Sequence, residues 1–172
     1  SLHKLSRLGL FVGSSTDDEI YGEELPKDHY WLMPAYQQKV GLKKLRKIHD
    51  DIRKRNRLAS FYDDKLSAAG LPILDRPEGT VLLRYPVRIE NKDSILQSAR
   101  AQSIELGSWF ETPLHPTPLE NHSTFGYTLG QCRNAEIACQ QVVNLPLHSK
   151  TNLDEAERTI DFLIENSAKI LE

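Results

Sequence analysis

His115 is the side chain in this sequence best placed to do chemistry. It lies in Thr112-Pro113-Leu114-His115-Pro116, where the flanking prolines stiffen the backbone. A rigid, exposed imidazole can hydrogen-bond a substrate hydroxyl or phosphate; the alternative is an ordinary surface-loop histidine. Just upstream, Trp109-Phe110 offers a stacking platform for a nucleotide base or a sugar. The commoner fate of such a pair at a strand end is core packing, with one ring left exposed. His148 follows Asn144-Leu145-Pro146-Leu147 and reads as a capping or surface group. His3, His29, His49 and His122 form no His-x-x-x-His or His-x-x-His pair, and Cys132-x6-Cys139 is too widely spaced for a zinc knuckle. No metal ligand set is therefore expected. Cys139 is expected on the inner face of a helix, the ordinary place for a free thiol.

Other chemistries lack their signatures. There is no Gly-x-Gly-x-x-Gly, no Walker loop, no nucleophile elbow and no metalloprotease helix. The lysines lie mostly in polar stretches, and none has a recognisable desolvated site of the kind a Schiff-base lysine needs. No catalytic residue is assigned. The 22 basic and 24 acidic residues are interspersed and leave a net charge of -2, so no large field favours nucleic acid or an anionic membrane. No apolar run approaches the ~20 residues of a membrane span. No charged-then-apolar leader opens the chain. Two cysteines make no disulfide framework, and a reduced, cytoplasmic protein is the expectation. The chain begins at Ser1 without Met, as a trimmed fragment would.

These residues need a scaffold. Leu2, Leu5 and Leu8 suggest a short N-terminal helix, and residues 13–18 a loop. Pro34 opens a helical pattern that Gly70 closes, with Tyr36, Val40, Leu45, Ile48, Ile52, Ala59, Tyr62 and Leu66 on its apolar stripe. Gly41 inside it suggests close packing against another backbone. One helix over residues 34–69 would run about 54 Å, whereas a compact globule of this length is only about 40 Å across. Such a helix must bend or pack on something outside the chain. Residues 80–89 are β-rich, with Pro86 favouring an edge or a bulge. Residues 92–106 read as a helix with Ile95, Leu96, Ala99 and Ile104 inside. Residues 107–110 are a short strand or strand end, and 111–133 a long loop, a length uncommon without a function. A short helix over 134–143 follows, then an extended Asn144–Leu147. Asn152 and Glu155 form a capping-box pair for a final helix whose inner face is Leu153, Ala156, Ile160, Leu163 and Ile164. The fold class expected is α/β (α+β-like): a small sheet covered by helices.

Three segments, in order, carry a resemblance. Gly41-Leu42-x-x-Leu45-x-x-Ile48 is followed by Arg55, Ala59, Tyr62 and Leu66. Then comes Thr112-Pro113-Leu114-His115-Pro116. Last are Ala135-Glu136, Asn144-Leu145-Pro146-Leu147-His148 and Asn152-x-x-Glu155. Over roughly residues 30–170 the chain resembles the C-terminal part of the pyridoxal phosphate (PLP)-dependent sugar aminotransferases of the DegT–DnrJ–StrS type. The resemblance implies the small domain of a fold type I aminotransferase over 34–172, joined by a long linking helix, with 1–33 an irregular remnant of the large domain or an interdomain link. It implies PLP as cofactor of the parent enzyme, a nucleotide-linked keto sugar as substrate, glutamate as the usual amino donor, and a homodimer. The Schiff-base lysine and the pyridine-binding aspartate of the family lie upstream of anything present here. In the family the Pro-Leu-His stretch borders the sugar-nucleotide site, which makes His115 and Trp109 the substrate-binding candidates. Tyr30-Trp31-Leu32-Met33 aligns with a segment that usually reads Asn-Tyr-Arg-Met. There the asparagine holds the PLP phosphate, so Tyr30 is the cofactor-binding candidate, able to donate one hydrogen bond. Leu32 supplies no charge where the arginine stands.

The expected function is thus a C-terminal fragment of such an aminotransferase, completed by a missing N-terminal large domain and inactive alone. The alternative is a non-catalytic, self-associating interaction domain descended from such an enzyme. Direct nucleotide-sugar binding without catalysis is a third reading.

Overall fold

The structure, a computed structural model, describes residues 20–21, 30–166 and 170. The expected N-terminal helix of Leu2, Leu5 and Leu8 and the loop at 13–18 lie outside the described residues.

The long helical pattern folds as two helices, α1 (Ala35–Leu45) and α2 (Ile48–Ala68), broken by a turn at Arg46-Lys47. The pattern is therefore interrupted rather than one straight rod, one of the two outcomes its length allowed. Pro34 stands one residue before the first helical turn, with φ -59° and ψ 150°. At the far end Gly70 takes φ +70°, while the Leu71 N–H donates to Leu66 O (2.9 Å), a left-handed glycine stop. The two halves of the apolar stripe have opposite fates. Leu58, Ala59, Tyr62 and Leu66 of α2 are buried, but α1 buries no residue at all. Tyr36, Val40, Leu45 and Ile48, expected inside, are exposed. A Cβ added at Gly41 would meet nothing within 4 Å, so the close backbone contact expected there is not made within the described residues.

The sheet is small. Strand β1 (Tyr85–Arg88) pairs antiparallel with β2 (Val142–Leu145), Val87 opposite Val143. Pro86 is tolerated because it faces Asn144, whose N–H and C=O are both spent on Gly107 on the other side (2.9 and 2.8 Å). Gly107 thus lays a one-residue bridge along the outer edge of β2. Its own Cβ would approach Arg84 Nη1 to 3.2 Å and Asn144 Cβ to 3.3 Å, which favours glycine there.

Helix α3 (Lys92–Ala101) ends short of the expected 106, turning at Gln102-Ser103, yet Ile95, Leu96, Ala99 and Ile104 are all buried as the pattern required. The 111–133 stretch contains a 3-10 helix, Leu119–Phe125, then α4 (Arg133–Gln141) leads straight into β2. The final helix α5 (Leu153–Glu165) has the expected capping box: Glu155 N–H to Asn152 Oδ1 at 2.8 Å, Asn152 N–H to Glu155 Oε2 at 3.1 Å. Ala156, Ile160 and Leu163 face the core, but Leu153 is exposed and Phe162 takes an inner position instead. Helices α3 and α5 pack on β2, and α5 packs on α2, so one hydrophobic core lies between the sheet and three helices. This is the expected small sheet covered by helices.

At the centre of the core Tyr62 is fully buried, its ring edge-on to Tyr85 at 5.4 Å and its hydroxyl donating to Pro146 O at 3.0 Å. Burial makes both phenols harder to ionise, with Glu105 adding to this at Tyr62. Tyr85 is pushed up to about 12, first by burial and then by its bond to Asp63. A phenol kept neutral in the fold stabilises it fully below the unfolded-chain value near 10. That contribution fades as pH rises through the folded value. Stability measured by urea titration is expected to fall between pH 10 and 12, and a Tyr85→Phe variant to fall less over that window. An identical slope for both proteins would contradict this.

Candidate functional site

The chain's solvent-facing chemistry gathers where the edge of β2 meets the loop after it in space. Gly107, fixed to Asn144, leads into Ser108-Trp109-Phe110 along the edge of β2, where the Asn144 side chain also holds the Trp109 carbonyl. Trp109 and Phe110 stack at 6.2 Å with their planes 15° apart, and His115 contacts both, at 5.9 and 5.6 Å between centroids. The two sequence-derived candidates Trp109 and His115 are therefore brought together. The rings are 49% and 59% exposed, so the core packing expected for this pair is corrected: they form an outward-facing aromatic wall. Arg84, just before β1, lays its guanidinium 4.4 Å from the centroid of Trp109, a cation–π contact.

The loop bearing His115 is held from below. The His115 N–H donates to Thr112 O (3.0 Å) and the Thr117 N–H to Leu114 O (2.8 Å). The Thr117 carbonyl accepts from Thr112 Oγ1 (2.9 Å) and from His122 Nε2 (3.1 Å), and Thr117 Oγ1 donates to Ile20 O (3.3 Å). His122 is buried in this role against Tyr127, at 5.3 Å. The Glu136 carboxylate accepts from Tyr127 Oη (2.5 Å) and the Gly130 N–H (2.7 Å). These bonds, Tyr127 foremost, hold its ionisation below the usual carboxylate range. His148, expected as a capping or surface group, accepts the Lys150 N–H at Nδ1 (3.2 Å) while its Nε2 faces the Glu105 carboxylate at 3.2 Å.

Lys92 escaped sequence reasoning. It begins α3, an unfavourable place for a cation beside the positive end of a helix dipole, and that anomaly was its one legible signal. The structure buries it and points its ammonium at three backbone carbonyls: Ser108 (2.7 Å), Phe110 (3.2 Å) and Cys139 (2.7 Å). Burial lowers its ionisation range, partly offset by the negative groups around it. Cys139 itself is half-buried, its thiol pushed up by burial.

Tyr30, the cofactor candidate, belongs to a separate segment just before α1 and is 79% exposed; Leu32 beside it is 91% exposed. Lys92 is the one buried lysine among the described residues, and its donors are committed to carbonyls. The described residues by themselves do not fit PLP: no lysine stands free in a desolvated pocket, and Leu32 offers a phosphate nothing. Among the described residues no group of three or more His, Cys, Asp or Glu is placed to hold a metal, and no helix is long and apolar enough to cross a membrane.

Residues 11–164 match the model of the DegT/DnrJ/EryC1/StrS aminotransferase family. A UDP-2-acetamido-2-deoxy-3-oxo-D-glucuronate aminotransferase of Pseudomonas aeruginosa is 26% identical over 67% of this chain and 32% of its own length. A dTDP-4-dehydro-2,3,6-trideoxy-D-glucose 4-aminotransferase of Saccharopolyspora spinosa is 31% identical over 70% of this chain and 31% of its own. The chain thus spans about a third of these two relatives. Among solved structures, S. venezuelae DesV in complex with a ketimine intermediate has the same fold, with a TM-score of 0.69 at 23% identity over 88% of this chain and 42% of that one. With a family match running from before α1 to the last turn of α5, the chain belongs to the DegT/DnrJ/EryC1/StrS aminotransferase family.

Proposed function

We propose that this chain is the C-terminal small domain of an aminotransferase acting on a nucleotide-linked keto sugar. Its Trp109–Phe110–His115 wall forms one side of the sugar-nucleotide site. The observation that carries the reading is the wall itself: two half-exposed rings and an imidazole held together on anchored backbone. The rings offer stacking to a base or sugar, and His115 a hydrogen bond to a hydroxyl or phosphate. PLP, on which enzymes of this family generally depend, would supply the amino-transfer chemistry from a cofactor-binding large domain outside these residues. Support for that missing part comes from α1 and the segment before it. Trp31, Leu32, Tyr36, Val40 and Leu45 are exposed apolar residues that water alone would cover poorly. A homodimer would bring further cover to the same surface. The 172-residue chain alone is expected to show no transamination.

The test has two parts. The native protein bearing this sequence, detected with an antibody to the chain, is expected to be much larger than 19.6 kDa. In that native protein, Trp109→Ala is expected to weaken UDP- or dTDP-sugar binding about tenfold or more, and His115→Ala roughly three- to tenfold. If neither substitution changes affinity, the sugar-nucleotide reading fails. The second reading, a non-catalytic self-associating domain, is favoured by Leu32 in place of a charged residue. A native species of 19.6 kDa that self-associates and binds no sugar nucleotide would establish it instead.

A further inference from the structure

The wall stands on backbone that two buried polar side chains grip from the interior. Three consecutive carbonyls are involved. Lys92 Nζ donates to those of Ser108 and Phe110, and Asn144 Nδ2 donates to that of Trp109 between them. Lys92 and Asn144 are only 6% and 7% exposed. The third bond of the ammonium reaches Cys139 O, in the last turn of α4, so one cation joins the wall, α3 and α4. No carboxylate pairs with Lys92 among the ion pairs of the described residues. Its hydrogen bonds go to carbonyl dipoles, each directed at a single tetrahedral nitrogen, with Glu111 and Asp93 adding only through-space attraction. This is a poor design for stability alone, because burying an ammonium is costly and an apolar residue with a relaxed loop would avoid the penalty. It is a good design for fixing where a short segment lies, since three donors of one atom set three distances at once.

We propose that Lys92 is a positioning residue for the Trp109–Phe110–His115 wall, its ammonium fixing the backbone from which both aromatic rings project. The functional value of this rests on the wall's being a ligand-facing surface, as read above; the positioning itself does not. Asn144 acts with it at the middle carbonyl.

The chain contains two tryptophans, Trp31 and Trp109, so a Trp31→Phe background leaves Trp109 as sole reporter. In that background Lys92→Met keeps the side-chain length and removes every donor. It is expected to roughly double the acrylamide quenching constant of Trp109 and to flatten its near-ultraviolet circular dichroism, with the helical far-ultraviolet signal retained. Lys65→Met, at a half-buried α2 lysine paired with Glu157 and Asp161 of α5, is the control and is expected to change neither. Lys92→Arg keeps the charge but spreads its donors over a plane, and is expected to give an intermediate quenching constant. Parental quenching and dichroism in a folded Lys92→Met chain would overturn the proposal and leave Lys92 a stabilising residue only. Should Lys92→Met fail to fold, parental values in Lys92→Arg would overturn it equally. Loosened quenching in Lys92→Met together with unchanged sugar-nucleotide affinity in Trp109→Ala would uphold the positioning role while removing the substrate reading of the wall.

Discussion

Tyr62→Ala is expected to destabilise the chain by about 3–5 kcal/mol, the range for deleting a large aromatic from a packed core. The ring has no exposed surface and lies where α2, β1 and the segment leading into α5 converge, touching Tyr85 and, through its hydroxyl, Pro146 O. Little around it can collapse into the space, because Leu145, Leu147 and Ile160 are themselves fully buried. Tyr62→Phe removes only the hydroxyl and leaves one carbonyl unpaired, so about 1 kcal/mol is expected. For a domain of this size the alanine variant should melt about 10 °C lower or more. Urea unfolding of the pair measures both. Equal losses in the two variants would mean that the hydrogen bond, not the ring, dominates, contrary to the packing seen here.

The second large effect is expected at Asp63. Its carboxylate takes two bonds from the Arg76 guanidinium and one from Tyr85 Oη at 2.7 Å. The Arg76–Asp63 pair is only about one-fifth exposed on each side, so it is shielded from the screening that makes surface pairs nearly worthless. Asp63→Ala strands a buried phenol and a half-buried guanidinium together, and a loss of about 2–3 kcal/mol is expected. It should also loosen the 71–84 connection, which Arg76 ties to α2 alongside the Arg55 bond to Leu83 O. Asp63→Asn keeps one acceptor and should lose less. A chemical-denaturation midpoint for Asp63→Ala within error of the parent would show that water replaces the carboxylate without penalty.

Both sites illustrate how far the linear sequence reached. Tyr62 was legible: it stands on the apolar stripe with Ala59 and Leu66, and spacing at three to four residues determines a buried helical face wherever a partner surface exists. The same spacing at Tyr36, Val40 and Leu45 gave the same expectation, and there the residues are exposed. Periodicity states which residues share a face; it does not state what lies opposite. Asp63 and Arg76 were not legible as a pair, because attraction between charges in different segments depends on a chain path that no local pattern encodes.

The sequence by itself determined the punctuation of α2 and α5 and which residues share a helix face. Gly70 stops α2 because only a residue without Cβ enters the left-handed region freely, and Asn152 with Glu155 caps α5 because their side chains reach only local N–H groups. It also placed Trp109 and His115 as candidates, through residue type and a stiff proline-flanked loop. Tertiary structure decided the rest. It turned Trp109 and Phe110 outward and set His115 against them. It also drew Lys92 inside, where three carbonyls from two distant segments meet its ammonium. The physical reason is one of range. Caps and glycine stops are settled within a few residues, whereas a buried cation is tolerable only once distant backbone has assembled around it.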